Sequence, residues 1–136
     1  MRKITIIMTV FLLYNCVGGN TQTISVKEFE KQIDLTKAEQ LIDVRTPLEF
    51  DKYHIQGAKN IDFRCPEFKN AIEKLDKTKP VLIYCLSGGR SKAALAVFRK
   101  AGFTTVYELD GGINAWSKLG KAITEDLSGK GELSRQ

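Results

Sequence analysis

The chain is poor in the residues that build metal centres and covalent frameworks. Among its 136 residues are a single histidine and three cysteines. Cys16, Cys65 and Cys85 are scattered, with no C-x-x-C pair, which leaves no basis for a disulfide framework, a zinc site or a dithiol. No apolar run reaches the about 20 residues that a membrane-spanning helix needs. Blocks of like charge are missing too. The net charge is +5, but lysine and glutamate are interspersed, so there is no footprint for nucleic acid. Arg2 and Lys3 supply two of those charges; without them 19 basic residues face 16 acidic ones, leaving +3. Internal repeats and low-complexity segments are also absent. What remains is a length suited to one domain and a hydrophobic content of 43%, enough for one ordinary core.

The two ends read differently from the middle. Arg2 and Lys3 precede an apolar run from Ile4 to Tyr14, broken by Thr5 and Thr9. A positive start followed by a short apolar stretch is the pattern of a secretory signal peptide, so residues 1–19 are expected to be a leader and the protein to be exported. In a bacterium that means the periplasm, an oxidising compartment. Leu13-Tyr14-Asn15-Cys16 lies where a lipoprotein box would stand. Lipidation of Cys16 would anchor the domain to the membrane, facing the periplasm, through a polar linker from Gly18 to Thr23. Cleavage near Val17-Gly18-Gly19 is the competing outcome. From Thr124 on, Glu, Asp, Ser, Gly and Lys dominate, which predicts a mobile polar tail over 123–136.

In between, helices and strands alternate. Ser25 and Glu28 are spaced as a capping box, with Ile24 and Phe29 as its apolar staple. Leu41 to Val44 is a short strand, Leu48 to Tyr53 a helical turn, and Ala58 to Ile61 another strand. Pro66 opens a helix carrying Phe68, Ile72 and Leu75 at helical spacing. Val81 to Tyr84 is a buried strand, followed by a helix that ends at Gly102. Thr105 to Leu109 and Ile113 to Leu119 complete the series. This order predicts an α/β fold, an open parallel sheet flanked by helices on both faces. In such sheets ligands sit beyond the carboxyl ends of the strands, where Asp43, Arg45 and Cys85 all fall.

Cys85 carries the chemistry. It stands where a strand stops and a loop, Leu86-Ser87-Gly88-Gly89-Arg90-Ser91, leads into a helix. Unpaired amides and the positive end of the helix favour an anion there, and for a cysteine that anion is the nucleophilic thiolate. Adjacent glycines let the amides curl into an anion-binding nest.

That loop resembles the active-site loop of rhodanese-like sulfurtransferase domains. Leu41-Ile42-Asp43-Val44-Arg45, then Glu49-Phe50, His54-Ile55-Gln56-Gly57-Ala58, Asn60-Ile61 and Leu109-Asp110-Gly111-Gly112-Ile113-Asn114-Ala115-Trp116 resemble further signatures of the family in the same order. Tyr53 stands where many members have glycine. The resemblance implies a rhodanese-like domain over 24–122 and a sulfurtransferase with no cofactor and no metal. Sulfane sulfur would pass from a donor such as thiosulfate or a polysulfide to a thiol or cyanide, through a Cys85 persulfide. Leu86, Ser87, Gly88, Gly89, Arg90 and Ser91 would bind the substrate, and Asp43, Arg45 and Glu49 would support them. Arg90 is expected to brace the loop against Asp43 or Glu49, and His54 to be structural. The partners are a small sulfur donor and a thiol acceptor, with a redox partner protein as a further candidate. Two alternatives stand beside it: a non-enzymatic persulfide carrier or binding module, and a phosphatase or arsenate reductase. The second suffers from the short loop, only four residues between Cys85 and Arg90, a tighter ring than a tetrahedral oxyanion requires.

Overall fold

The computed structural model describes residues 19–125. Residues 1–18 of the expected leader, Cys16 among them, and the tail from residue 126 lie outside the described residues. Five parallel strands form the main sheet in the order β1-β6-β5-β2-β4: β1 (Asn20–Ile24), β6 (Thr105–Leu109), β5 (Val81–Tyr84), β2 (Leu41–Asp43) and β4 (Lys59–Asn60). A two-stranded antiparallel ribbon joins β3 (Tyr53–Ile55) to β7 (Ile123–Glu125). The helices are α1 (Val26–Thr36), α2 (Pro47–Lys52), α3 (Phe68–Ile72), α4 (Gly89–Lys100) and α5 (Gly112–Lys118). No helix among the described residues is long and apolar enough to cross a membrane.

Strand alternation divides the core into two. Val81, Ile83 and Cys85 of the β5 segment join Ile42, Val44 and Val106 beneath Phe68 and Ile72 of α3 and Ala94 and Phe98 of α4. Leu82 and Tyr84 point the other way, against Phe29 of α1 and Ile113 and Trp116 of α5. Each fully buried Leu, Ile or Phe contributes about 1.5–3 kcal/mol. With both faces covered, the central strands read as unbroken apolar runs, which is why β5 was legible. The sheet is thus open, parallel and covered on both faces, as expected.

The chain runs from β2 outward to β4, then crosses to β5 and on to β6 in the opposite direction. The reversal falls between β2 and β5, whose carboxyl ends open the crevice where α/β sheets bind ligands.

Two expectations at the domain's ends are corrected. Residues 20–23, read as linker, are most of β1, paired in parallel with β6 from Asn20↔Thr105 to Ile24↔Leu109. An edge strand exposes much of its length, so Thr-Gln-Thr satisfies it without the apolar alternation that marks an inner strand. Residues 123–125, read as mobile tail, form β7. Ile123 packs against the α1/α5 core, and the Trp116 indole N–H donates to the Ala122 carbonyl at 2.9 Å, tying the segment down. The capping box at α1 is half made. Ser25 Oγ accepts from the Glu28 amide at 3.3 Å, while Glu28 Oε1 instead accepts from the Gln32 side chain at 2.9 Å.

Candidate active site

Thr46-Pro47-Leu48-Glu49 follows β2 and builds the first wall of the crevice. It is a full capping box: Thr46 Oγ1 accepts from the Glu49 amide at 3.3 Å and Glu49 Oε2 accepts from the Thr46 amide at 3.0 Å. Pro47 at the first helical position starts α2. The cap fixes Glu49, which then clamps Arg90 of α4 through two bonds, Nη1 to Oε2 at 2.7 Å and Nη2 to Oε1 at 2.8 Å. Arg90 therefore braces the loop from the β2 side, in the role expected of it, with Glu49 rather than Asp43.

The Arg90 guanidinium holds the Glu49 carboxyl down to about 2, against an ordinary 4.5. A depressed carboxyl contributes stability that is fully present above about 4.5 and is lost as pH falls toward about 2. We therefore expect Glu49→Gln to flatten that acid arm. Urea denaturation between those pH values should show the parent losing about 2 kcal/mol more than the variant. Equal acid slopes in the two proteins would contradict the clamp.

The Cys85 loop is the second wall. Cys85 is 1% exposed. Its Sγ accepts from the Gly88 amide at 3.1 Å and from the Ser91 hydroxyl at 3.3 Å. Burial alone would push the thiol up. Hydrogen bonds from the Ser91 side chain and from the amides of Ser91, Gly88 and Ser87 outweigh it, so Cys85 ionises below its ordinary value. Ser87 and Gly89 are exposed and form the open side of the cradle, with Leu86 half-buried.

Only one of the adjacent glycines bends the loop. Gly88 has φ +112°, whereas Gly89 begins α4 outside the left-handed region, and a Cβ added there would meet nothing within 4 Å. The nest is thus built on Gly88. Gly88→Val is expected to raise the thiol's apparent pKa and slow its alkylation, since a β-branched residue resists positive φ. Gly89→Ala should leave both near parent values. Equal alkylation rates across pH for Gly88→Val and the parent would defeat this account.

A brace on the far side comes from α5. The Ile113 amide donates to the Cys85 carbonyl at 2.9 Å and the Asn114 amide to the Leu86 carbonyl at 3.1 Å. Gly112, at φ +59°, permits that approach, because a Cβ there would lie 2.6 Å from the Cys85 carbonyl oxygen. Gly112 thus serves the cysteine loop from 27 residues downstream of Cys85.

Asp43 and Arg45 do not reach the cradle. They form a buried pair, Arg45 Nη2 to Asp43 Oδ2 at 2.7 Å with side chains 1% and 0% exposed. Arg45 Nη2 also donates to the Tyr53 carbonyl at 2.6 Å, and the Asn60 side-chain amide donates to the Asp43 and Arg45 carbonyls at 3.0 and 2.8 Å. Together they hold the end of β2 against β3 and β4. Tyr53 is extended at φ −168°, so the position has no need of glycine. His54 Nδ1 donates to the Phe50 carbonyl at 2.9 Å and stacks on the Phe50 ring, a structural place. Cys65 is exposed, its thiol donating to Glu67 Oε2 at 2.7 Å, which raises its ionisation above the usual value. Among the described residues no cluster of His, Cys, Asp or Glu could hold a metal ion.

Sequence reasoning missed Glu108. It is fully buried, and its Oε1 accepts from the Ser91 hydroxyl at 2.5 Å. The signal was available: in Thr105–Leu109, Glu108 shares Val106's inward face, a carboxylate where a core residue belongs.

This chain is 40% identical over 96 residues to a probable adenylyltransferase/sulfurtransferase, MoeZ, of Mycobacterium tuberculosis, a match covering 71% of this chain and 24% of that one. The chain thus spans about a quarter of that relative's length. It is 36% identical over 93 residues to the thiosulfate sulfurtransferase GlpE of Pseudomonas aeruginosa, covering 68% of this chain and 81% of GlpE. Among solved structures, a rhodanese-related protein from Thermoplasma volcanium superposes with a TM-score of 0.67 at 26% identity, covering 77% of this chain and 99% of that one. The Rhodanese-like domain itself matches residues 25–119, from the cap of α1 to the end of α5 with the whole cradle inside, and the chain belongs to the rhodanese-like domain family.

Proposed function

We propose that this protein is a sulfurtransferase that carries sulfane sulfur on Cys85. One observation carries the reading: the Sγ of a buried cysteine lies within hydrogen-bond reach of both the Gly88 amide and the Ser91 hydroxyl, donors that stabilise an anion there. With thiosulfate, the Cys85 thiolate attacks the outer sulfur, the S–S bond of the donor breaks, and sulfite leaves with the bonding pair. Cys85 is left as a persulfide anion. A cyanide or thiolate acceptor then takes the outer sulfur, and the thiolate returns. Charge balances in each step and no redox partner is consumed. The likeness to GlpE, named as a thiosulfate sulfurtransferase, supports thiosulfate as a donor to try first.

The test is intact mass after incubation with thiosulfate. One added sulfur, removed on adding cyanide, is the expected result. No mass change with thiosulfate or with a polysulfide would overturn the reading in favour of a binding module.

A further inference from the structure

Glu108 has no part in the sulfur-transfer scheme, yet it lies one residue away from the reacting sulfur. Its Oε1 accepts from the Ser91 hydroxyl at 2.5 Å, and the same hydroxyl is 3.3 Å from Cys85 Sγ and 3.3 Å from the Gly88 carbonyl. Glu108 Oε2 is buried with no hydrogen-bond partner among the described residues. No cation among them lies within ion-pair distance of it. Lys92, the next residue on α4, pairs with Asp110 at 3.7 Å, and Arg90 is taken by Glu49.

A carboxylate buried without a cation is costly, and a thiolate across one hydroxyl would add a second negative charge to the same pocket. A serine hydroxyl has one proton and two acceptor sites, so it can pass a proton between its neighbours while keeping both bonds. We propose that Cys85, Ser91 and Glu108 share one proton, with Glu108 as the positioning residue that takes it when Cys85 ionises.

In the thiol arrangement Sγ–H donates to Ser91 Oγ, and the Ser91 O–H donates to the Glu108 carboxylate. In the thiolate arrangement the S–H bond breaks and its proton goes to Ser91 Oγ. The original Ser91 O–H breaks, and that proton bonds to Glu108 Oε1. The Ser91 hydroxyl then donates to Sγ and the Glu108 carboxyl donates to Ser91 Oγ. One S–H bond is replaced by one carboxyl O–H bond, no electron moves between groups, and the trio carries a single negative charge throughout. The bridging hydroxyl supplies the path between the two arrangements. Ser91 from α4 faces Glu108 directly and Cys85 from β5 lies across its hydroxyl; Lys92 Nζ and Glu108 Oε1 both lie beside Gly88, with Lys92 paired to Asp110 just past β6.

This rests on Cys85 being the nucleophile, but its test reads the thiol without any sulfur donor. A failed titration would leave the sulfur-transfer assay standing, and a failed assay would leave the titration standing. The experiment follows thiolate ultraviolet absorbance against pH in a chain with Cys16→Ser and Cys65→Ser, so that Cys85 titrates alone. The expected parent curve rises in two steps with a plateau between them, as coupled sites do. In Glu108→Gln the neutral amide can neither take the proton nor repel the thiolate, so the curve collapses to one proton and its midpoint falls below the parent's upper step by about 1 pH unit or more. Ser91→Ala should move the midpoint the opposite way, since the thiolate loses its donor and keeps the carboxylate. A Glu108→Gln curve that overlays the parent, or that moves upward with Ser91→Ala, overturns the proposal. If Glu108→Gln does not fold, the parent curve alone decides, and a single-proton titration there overturns it.

Discussion

Cys85→Ser should reduce sulfur transfer on the order of a thousandfold or more, to the uncatalysed background, while leaving the fold untouched. Serine is nearly the shape of cysteine, and its hydroxyl can accept from the Gly88 amide and the Ser91 hydroxyl that Sγ now uses. Circular dichroism and the urea midpoint are therefore expected to match the parent. What is lost is ionisation: the amide cradle lowers a thiol far enough to populate its anion, whereas an alcohol starts many units higher. Persulfide is the second readout. The parent should gain one sulfur from thiosulfate, Cys85→Ser none, and Cys65→Ser as much as the parent, because Cys65 lies exposed and engaged with Glu67. Turnover in Cys85→Ser comparable to the parent would sink the mechanism, and sulfur found on Cys65 would relocate it.

Arg45→Ala is the substitution expected to cost the most stability, about 3–5 kcal/mol. Arg45 is buried beside Asp43, and the pair shares four contacts, from Arg45 N and Nε to Oδ1 and from Nε and Nη2 to Oδ2, at 2.7–3.0 Å. Burial would lower the guanidinium, yet the bonds and charge of Asp43 hold it above its ordinary value. Removing Arg45 strands a fully buried carboxylate and frees the Tyr53 carbonyl that anchors β3. Replacing the whole pair, with Asp43→Asn and Arg45→Met together, should recover much of that loss, since no charge is then left unpaired. Urea denaturation of the single and double variants checks both statements. A loss below 1 kcal/mol for Arg45→Ala would mean that the pair is not a support of the β2 end.

Much of the fold could be read along the chain because the central strands are buried on both faces. Leu41-Ile42 and Val81-Leu82-Ile83-Tyr84 have no polar side to present, so they stand out as apolar runs. The two elements missed at the ends, β1 and β7, are edge pieces with Thr, Gln and Glu facing solvent, and their composition resembles that of a loop. In the candidate site the cysteine and its loop were legible, since strand, turn and helix follow one another within eleven residues. Glu49 was named, but its capping box with Thr46 was not, although the spacing is local.

Legible along the chain are the local features: an alternating α/β order, a cysteine at the end of a buried strand, and a glycine where the chain must turn with positive φ. Those follow from short-range sterics and from hydrophobic period, which neighbouring residues suffice to set. Which distant groups meet depends instead on strand order and helix packing. Only the reversal of direction between β2 and β5 sets Glu49 against Arg90, and only the packing of α5 lays the Ile113 and Asn114 amides on the Cys85 and Leu86 carbonyls. The same packing of α4 on β6 seats Glu108 under Ser91. Partners separated by 17 to 41 residues leave no periodic trace in the chain, because their encounter depends on strand order rather than on spacing.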